Sequence, residues 1–379
     1  MKALIAIDSF KGSLDTFKSG AAAREGILRA IPDAEVVISP LADGGEGTVS
    51  AVVSAAGGEI TRALAHDPLG RVIAAEYGIL PDNTAVIEMS SASGITLVAQ
   101  KDRNPLFTSS YGTGELIRSA ISRGCRKFII GIGGSATNDG GAGMLEALGF
   151  ELLCENGKII PRGAVGLSRL AEIKCDKALP ELAECEFMIA CDVTNPLCGE
   201  RGASAVYGPQ KGATPEMVGV LDSLLSRFAD ICAEKFGTDC RNHPGAGAAG
   251  GLGFAFLSFL QGKLRSGIEL VIDATSLEEK VKSADIVITG EGRLDAQSCM
   301  GKAPVGVAKI AKKYGKTVIA FSGCVTDDAR LTNEHGIDAF FPIVRRPCTL
   351  VDAMNEDEAY KNLADTVEQV FRIINKMKI

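Results

Sequence analysis

The sequence predicts a doubly wound α/β fold: a mostly parallel, Rossmann-like sheet with a second, inserted mixed α/β domain. Short apolar β-type runs alternate with helix-like stretches, and several of these runs end in a glycine or acidic cluster. The length of 379 residues also exceeds what one hydrophobic core usually organises. Strands that alternate with helices pair in parallel through right-handed crossovers, which places helices on the faces of an open sheet. We therefore expect two lobes with a cleft between them.

The predicted strands are followed by loops that carry polar and glycine residues. In chain order, ALIAI precedes Asp8, EVVISPL precedes Asp43, KFIIGI precedes Gly133, FMIACDV reaches Asp192, and DIVITG precedes Glu291. Two more strands, TVIAFSG and DAFFPIV, complete the series. The carboxyl ends of parallel strands open toward one crevice, so we expect these loops to share a ligand site.

Two regions interrupt the alternation of strands and helices. Residues 55–107 contain strand-like pieces with the turn signals PLG and PDN, and residues 146–263 mix short strands, loops and helices. We assign both regions to the inserted mixed α/β domain. Residues 1–54, 108–145 and 264–379 then form the Rossmann-like domain.

Composition argues against several classes of partner. The net charge of -7 includes no basic block, so we expect no nucleic-acid partner. Eleven cysteines without a CxxC pair are typical of reduced thiols, and the apolar run at the N-terminus is too short for a signal peptide, so we expect a cytoplasmic protein. Residues 242–262 are uncharged, but their six glycines and one proline make a poor membrane span. We therefore expect no membrane partner.

The glycine-rich stretch GIGGSATNDGGAGM permits a dinucleotide interpretation. Its first residues match the GxGxxA fingerprint after a strand, and Glu151 lies where a ribose-binding acid is expected. However, residues 137–141 delay the helix that the fingerprint requires, and Asp139 would repel a phosphate unless a metal ion intervened. An NAD-dependent dehydrogenase of a small hydroxy acid stays an alternative. A non-enzymatic small-acid-binding regulator is another, although it would need none of these carboxylates.

Glycines, carboxylates and lysines together favour phosphoryl transfer. Peptide N–H groups hold phosphate oxygens, carboxylates hold Mg²⁺, and a further carboxylate accepts the proton of the attacking hydroxyl. Lys11, Arg293 and Lys302 lie beside three of the predicted loops. Gly301-Lys302 does not end a P-loop, because Ala303 replaces the required Ser or Thr.

Nine motifs occur in order along almost the whole chain. They are IAIDSFKGS, PLADGGEGT, SSYGTGELI, GIGGSATNDGGAGM, CDVTNPL, GPQKGA, PGAGAAGGLG, VITGEGRLDAQS and GKAPVGVA. Together they resemble the glycerate kinase type I family, the bacterial glycerate 2-kinases. The resemblance implies ATP-dependent phosphorylation of D-glycerate at its 2-hydroxyl, with Mg²⁺, in the cleft of a two-domain α/β enzyme; a homodimer is possible. Ile7 departs from the proline that the family commonly has there, without removing a charge or a donor.

The motifs suggest catalytic and metal-binding residues. Asp192 is our first choice for the general base and Asp295 is its rival, while Lys11 would contact phosphate. Asp139 and Glu291 are the expected metal ligands.

The remaining candidates are expected to bind substrate or nucleotide. They are Asp8, Ser9, Asp43, Gly44, Gly45, Thr113, Gly133, Gly134, Ser135, Asn138, Asn195, Gly250, Gly251, Arg293 and Lys302. Some have a structural alternative: Arg293 could clamp the substrate carboxylate or pair with Asp295. Thr113 could be only a helix cap, and Gly250 and Gly251 could serve close packing.

Overall fold

A computed structural model describes residues 1–377, which divide into two compact units. The first unit comprises Met1–Asp43, Ser50–Ala56 and the chain from Ile268 onward. The second comprises Gly44–Val49 and Gly57–Gly267. Positions 378 and 379, the end of the expected Rossmann-like domain, lie outside the described residues. None of the helices within the described chain combines the length and the apolar composition that crossing a bilayer requires.

The described residues form thirteen strands in a five-stranded, a six-stranded and a two-stranded sheet. In chain order the strands are β1 (Lys2–Ile7), β2 (Glu35–Ile38), β3 (Glu59–His66), β4 (Val72–Ile79), β5 (Thr84–Glu88), β6 (Lys127–Gly131), β7 (Glu151–Leu153), β8 (Glu172–Lys174), β9 (Glu186–Ala190), β10 (Lys263–Arg265), β11 (Ile286–Leu294), β12 (Thr317–Val325) and β13 (Ala339–Pro342).

Fifteen α-helices connect these strands within residues 1–377. They are α1 (Thr16–Ala30), α2 (Thr48–Ala56), α3 (Ser90–Ser93), α4 (Tyr111–Ser122), α5 (Ala142–Ala147), α6 (Ala164–Leu167), α7 (Ala203–Tyr207), α8 (Pro215–Phe236), α9 (Leu252–Phe259), α10 (Gly267–Ala274), α11 (Leu277–Ser283), α12 (Ala303–Lys313), α13 (Leu331–Glu334), α14 (Leu350–Ala353) and α15 (Glu356–Met377). Short 3₁₀ turns at Pro209–Lys211, Ala248–Gly250 and Ala296–Met300 carry residues of the candidate site.

The first unit is built on a parallel sheet with the strand order β13-β12-β11-β1-β2. Helix α1 begins after Asp15, whose carboxylate accepts a hydrogen bond from the Lys18 N–H at 2.7 Å. One face of the sheet packs against α1 and α15 through Ile5, Ile27 and Phe371, all fully buried. This arrangement confirms the predicted Rossmann-like sheet.

The second unit is built on a mixed sheet with the strand order β10-β9-β6-β5-β4-β3. Strands β5, β6, β9 and β10 are parallel, whereas β3 and β4 add an antiparallel hairpin at one edge. Stacked rings of Phe128 and Phe187, 4.8 Å apart, and Phe256 fill part of its core. The structure thereby confirms the predicted second domain of mixed α/β type.

The structure differs from the predicted domain boundaries at residues 108–145. These residues lie in the second unit, because β6 pairs in parallel with both β5 and β9. Helix α4 likewise contacts β3 and β5. The apolar run KFII has the pattern of a fully buried parallel strand, but that pattern is the same in either sheet. Residues 44–49 and 264–267 also belong to the second unit rather than the first.

Candidate functional site

Three acids of the first unit, Asp8, Asp43 and Glu291, lie near the carboxyl end of β1, where Gly290 of the neighbouring strand β11 pairs with Ile7. Asp8 follows β1, and its N–H donates to the Gly290 carbonyl of β11 at 3.0 Å, one residue before Glu291. Lys11 Nζ lies 3.1 Å from Asp43 Oδ2. The charges of Asp43, Lys11 and Glu291 all act on the Asp8 carboxylate. The structure therefore brings these four predicted residues together.

Asp8 is an unusual carboxylate in this group. It is only 7% exposed, and burial together with the charge of Asp43 raises its pKa to about 7. The Ser9 N–H donates to Asp8 Oδ1 at 2.7 Å and opposes this shift. Such a perturbed acid beside other charges is typical of a functional site.

Asp8→Asn is expected to stabilise the protein at about pH 8 and to lose this effect near pH 4. The folded state keeps the Asp8 proton up to about pH 7, whereas the unfolded chain releases it near 3.8. The wild-type free energy of unfolding therefore falls as pH rises between these values. Asn removes the charge and keeps an acceptor for the Ser9 N–H, so Tm at pH 8 should rise by roughly 2–6 °C.

Thermal melts across this pH range in metal-free buffer test the expectation. Asp33→Asn, at an exposed position of the same unit, is the matched control and should change Tm little. A lower Tm for Asp8→Asn at pH 8, or a gain that does not depend on pH, would contradict the assigned shift.

Glu291 is the second buried acid of this cluster. Its Oε1 accepts a hydrogen bond from the Ser298 hydroxyl, and Lys302 Nζ lies 3.7 Å from its Oε2. Burial raises the pKa of Glu291, while Ser298 and Lys302 act in the opposite direction. Lys302 thus lies beside an acid of the cluster, as its place in the sequence suggested.

Asp295 and Arg293 form an ion pair at the end of β11. Arg293 Nε lies 3.2 Å from Asp295 Oδ2, and Asp295 Oδ1 accepts the Gln297 N–H at 2.9 Å as the N-cap of the following 3₁₀ turn. Both carboxylate oxygens of Asp295 are therefore engaged. The structural alternative for Arg293, a pair with Asp295, is present in the fold.

In the second unit, the carboxyl ends of β5, β6 and β9 lie along one edge of the sheet. Residues 44–49 run against this edge, because Glu88 Oε1 accepts the Val49 N–H at 2.7 Å. A Cβ atom on Gly131 would lie 2.3 Å from the Gly44 carbonyl oxygen, and one on Gly44 would lie 2.6 Å from Ala190 Cβ. Gly44 also has φ +86°, so glycine is required here for both space and conformation.

The loop after β6 divides into an exposed half and a buried half. Gly133 and Gly134 are exposed, whereas residues 135–139 are buried. A Cβ atom on Gly133 would lie 3.3 Å from Gly45 Cα, so this exposed backbone adjoins residues 44–49. Peptide N–H groups at such a turn are suited to holding anionic oxygens.

Asp139 lies in the buried half and holds the loop together. Its carboxylate accepts four hydrogen bonds, from the N–H and hydroxyl of Ser110 at 2.8 and 2.9 Å and from the N–H groups of Gly141 and Gly143 at 3.2 and 3.3 Å. Burial raises its pKa and these donors oppose the shift. These four bonds tie the loop after β6 to Ser110 and to the start of α5. The role of Asp139 as a metal ligand stays a prediction. Asn138 is also fully buried and donates to Ser204 Oγ at 3.0 Å.

Lys211 supports the same loop and was missed by the sequence analysis. It is 2% exposed, and its Nζ donates to Ser135 Oγ and to the Thr137 carbonyl, both at 2.7 Å. Burial lowers the pKa of Lys211 to about 7, while Asp139 acts against this shift. The motif GPQKGA contains this lysine, but the motif alone does not indicate that the lysine is buried or which loop it contacts. Glu88 was also missed, although an acid directly at the end of an apolar strand is a recognisable signal.

Asp192 follows β9 at the same edge. It is exposed, and its Oδ1 accepts the Gly267 N–H at 3.0 Å. A Cβ atom on Gly44 would lie 3.3 Å from Gly267 Cα, which connects Asp192 to residues 44–49. Asn195, in contrast, donates to the Arg201 carbonyl at 2.8 Å and accepts from the Tyr207 hydroxyl at 2.6 Å. Both ends of its amide therefore close its own loop.

Three other candidates lie in the interior of the second unit. Thr113 is fully buried and shares a hydrogen bond with Ser93 at 2.7 Å. The Gly140 N–H donates to the Gly250 carbonyl at 2.9 Å, and a Cβ atom on Gly250 would lie 2.0 Å from the Thr137 carbonyl oxygen. Gly251, which follows it, is buried as well. At these positions the structure shows close packing, the alternative stated for the two glycines.

The helix that follows the glycine-rich loop begins too late for a dinucleotide fingerprint. Helix α5 begins only at Ala142, well beyond Gly134, so its N-terminus does not lie at Gly133 and Gly134 as a dinucleotide fingerprint requires.

Within residues 1–377, no group of three or more His, Cys, Asp or Glu side chains has the arrangement of a metal site. The edge of the second unit instead combines exposed peptide groups with a carboxylate.

Comparison with known proteins identifies the family. The sequence profile of the glycerate kinase family matches residues 3–375. The chain is 48% identical to a glycerate kinase of Haemophilus influenzae, covering 99% of each chain, and 47% identical to the glycerate 2-kinase of Escherichia coli (strain K12), covering 99% of this chain and 97% of that protein. A crystal structure described as glycerate kinase 2 from Salmonella typhimurium LT2 matches with a TM-score of 0.90 at 47% identity, covering 100% of this chain and 99% of that one. The chain therefore belongs to the glycerate kinase family and is an enzyme with kinase activity.

Proposed function

We propose that this glycerate kinase transfers the terminal phosphate of ATP to the 2-hydroxyl of D-glycerate and releases 2-phosphoglycerate and ADP. The Escherichia coli relative is named a glycerate 2-kinase, which supports this choice of hydroxyl. The observation that carries the proposal is the edge of the second unit's sheet. There the exposed backbone of Gly133 and Gly134 adjoins residues 44–49, which in turn adjoin the Asp192 loop.

Asp192 is proposed as the general base. The glycerate hydroxyl oxygen attacks the γ-phosphorus of ATP, its proton passes to the Asp192 carboxylate, and the bond between the γ-phosphorus and the β–γ bridging oxygen breaks. Asp192 is exposed at a strand end, where a substrate hydroxyl can approach. Asp295 is less suited, because its two oxygens hold Arg293 and cap a helical turn.

The exposed peptide groups are proposed to bind the charged parts of the substrates. Gly133 and Gly134 present backbone to solvent at the end of β6, and N–H groups there can donate to phosphate or carboxylate oxygens. Lys11 and Lys302, in the first unit, add positive charge beside Asp43 and Glu291. These contacts would orient the reactants, which is the main contribution a protein makes to phosphoryl transfer.

Mg²⁺ is part of the proposal, and the first unit offers residues that fit it. One or two of the carboxylates Asp8, Asp43 and Glu291 could serve as ligands. Burial, with a smaller contribution from the charge of Asp43, raises the pKa of Asp8, and a cation bound beside it would favour its ionised form. Mg²⁺ in such enzymes usually takes one or two carboxylates together with water and substrate phosphates, so a larger protein cage is not needed. When bound, the ion would neutralise charge on the phosphates.

Phosphorus NMR of a reaction with enzyme, MgATP and D-glycerate tests the proposal. We expect the signals of ADP and 2-phosphoglycerate, and we expect turnover to stop when EDTA removes the divalent cation. A signal of 3-phosphoglycerate alone would overturn the choice of hydroxyl and keep the kinase. A rise in Tm with NADH but not with MgATP would instead favour the dehydrogenase.

Cytoplasmic location, a homodimer and a reaction cleft between the two lobes stay predictions. Sedimentation of the purified protein would decide whether it is a dimer.

A further inference from the structure

The buried ammonium of Lys211 has unusual partners. It lies at the end of the turn Pro209–Lys211 and donates to Ser135 Oγ and to the Thr137 carbonyl, both in the loop after β6. A buried ammonium is normally held by a carboxylate. Among the described residues, no carboxylate lies within ion-pair distance of Lys211, and Asp139 favours its charge only from farther away. The charge of Lys211 is therefore only partly compensated within the chain.

The loop that Lys211 holds has polar atoms without protein partners. Thr137 Oγ1 and Asn138 Oδ1 are buried and lack a hydrogen-bond partner within the described chain. Lys211 donates to the Ser135 oxygen, so the Ser135 hydroxyl can give its own proton to another acceptor. The two exposed glycines precede this serine directly. The loop thus exposes the backbone of two glycines and has the Lys211 ammonium on its buried side.

We propose that Lys211 is a positioning residue for the kinase reaction: its ammonium fixes Ser135 and Thr137 so that the Gly133–Ser135 segment binds an anionic group of a substrate. The anion is a carboxylate of D-glycerate or a phosphate of ATP, which share the same oxygen chemistry. The inference rests on the proposed function, because it assigns this loop to the substrates.

Packing alone does not account for a lysine at this position. An unbranched apolar side chain such as methionine would fill similar space without the cost of removing an ammonium from water. An anion bound at the loop would offset that cost and favour the protonated amine. Burial lowers the pKa of Lys211 to about 7, so part of the amine is unprotonated near neutral pH. Binding of an anion at the loop would therefore be accompanied by proton uptake at Lys211. Asp139 is the acid whose charge already favours the protonated amine.

The test compares Lys211→Met and Lys211→Arg with Lys158→Met, which removes an exposed charge of the same unit. We expect Lys211→Met to fold and to lower kcat/KM by about 10²-fold, as loss of a preorganised group in an active site typically does. The substrate whose KM rises identifies the bound anion. Lys211→Arg should recover part of the activity. Between about pH 7 and 9 the kcat/KM of this variant should fall less than that of wild type, because a guanidinium stays charged over this range. Lys158→Met should behave as wild type.

Wild-type kcat/KM retained within about twofold in Lys211→Met would overturn the proposal. If Lys211→Met does not fold, calorimetry of the wild-type enzyme decides. D-glycerate alone and MgATP alone are titrated near pH 7.5 in two buffers of different ionisation enthalpy. Proton uptake with one of them supports the proposal and names the anion, whereas uptake with neither overturns it. Failure of the wild-type enzyme to phosphorylate D-glycerate would count against the proposed function instead.

Discussion

Asp192→Asn is expected to lower kcat by about 10²–10⁴-fold, the range that a general base contributes. This loss corresponds to roughly 3–5 kcal/mol in the activation barrier. KM should change little, because the amide keeps the oxygen that accepts the Gly267 N–H and so keeps the loop in place. Initial rates with D-glycerate and MgATP, together with thermal melts, measure both effects.

Asp295→Asn is the matched comparison for this experiment. Asn is a good N-cap, so the turn Ala296–Met300 should persist, and activity should stay within about tenfold of wild type. If Asp295→Asn loses the larger factor while Asp192→Asn stays active, the base is Asp295 and the assignment is reversed.

Asp139→Ala should produce the largest loss of stability among single substitutions at the candidate residues. The change would leave four buried donors around an empty space, including the Ser110 N–H and the N–H groups of Gly141 and Gly143. Losing one partner of a buried, charged hydrogen-bond group costs about 3–5 kcal/mol. Tm should therefore fall by roughly 6–20 °C. Thermal melts and chemical denaturation measure the change.

Asp176→Ala removes an exposed acid of the same unit and serves as the control, with an expected change within about 0.5 kcal/mol. A different result would be informative. If Asp139→Ala melts as wild type does but is inactive, Asp139 acts on the ligand or a metal ion, as the sequence suggested, rather than on the loop.

The fold class could be predicted because it depends on local patterns. Buried strands such as KFII and glycine-rich corners appear in the sequence itself, and they are confirmed in both units. The sheet that β6 joins could not be predicted, because a mostly apolar strand has the same pattern in either sheet. Membership in a sheet depends on long-range pairing, which one strand's sequence does not specify.

The candidate site was predictable only in part, for a similar reason. Asp8 and Asp139 have the same local signature, an acid in a loop after a strand. Only burial and donors separate them, since Asp139 is surrounded by loop hydrogen bonds and Asp8 lies among other charges. Lys211 gave no sign of burial, because the turn that carries it is polar in sequence and its position results from tertiary packing.

The segment 44–49 limits how the protein can be cut into parts. It belongs to the second unit, although it is separated along the chain by residues 50–56 of the first. A fragment that begins at Gly57 would lack Val49, whose N–H donates a hydrogen bond to Glu88. The buried Glu88 carboxylate would then lose this donor. Excision at the apparent domain border would thus remove a piece of the edge that we propose as the site of phosphoryl transfer. A cut within residues 44–49 would separate Gly44, which packs against Ala190, from Val49, whose N–H bonds to Glu88.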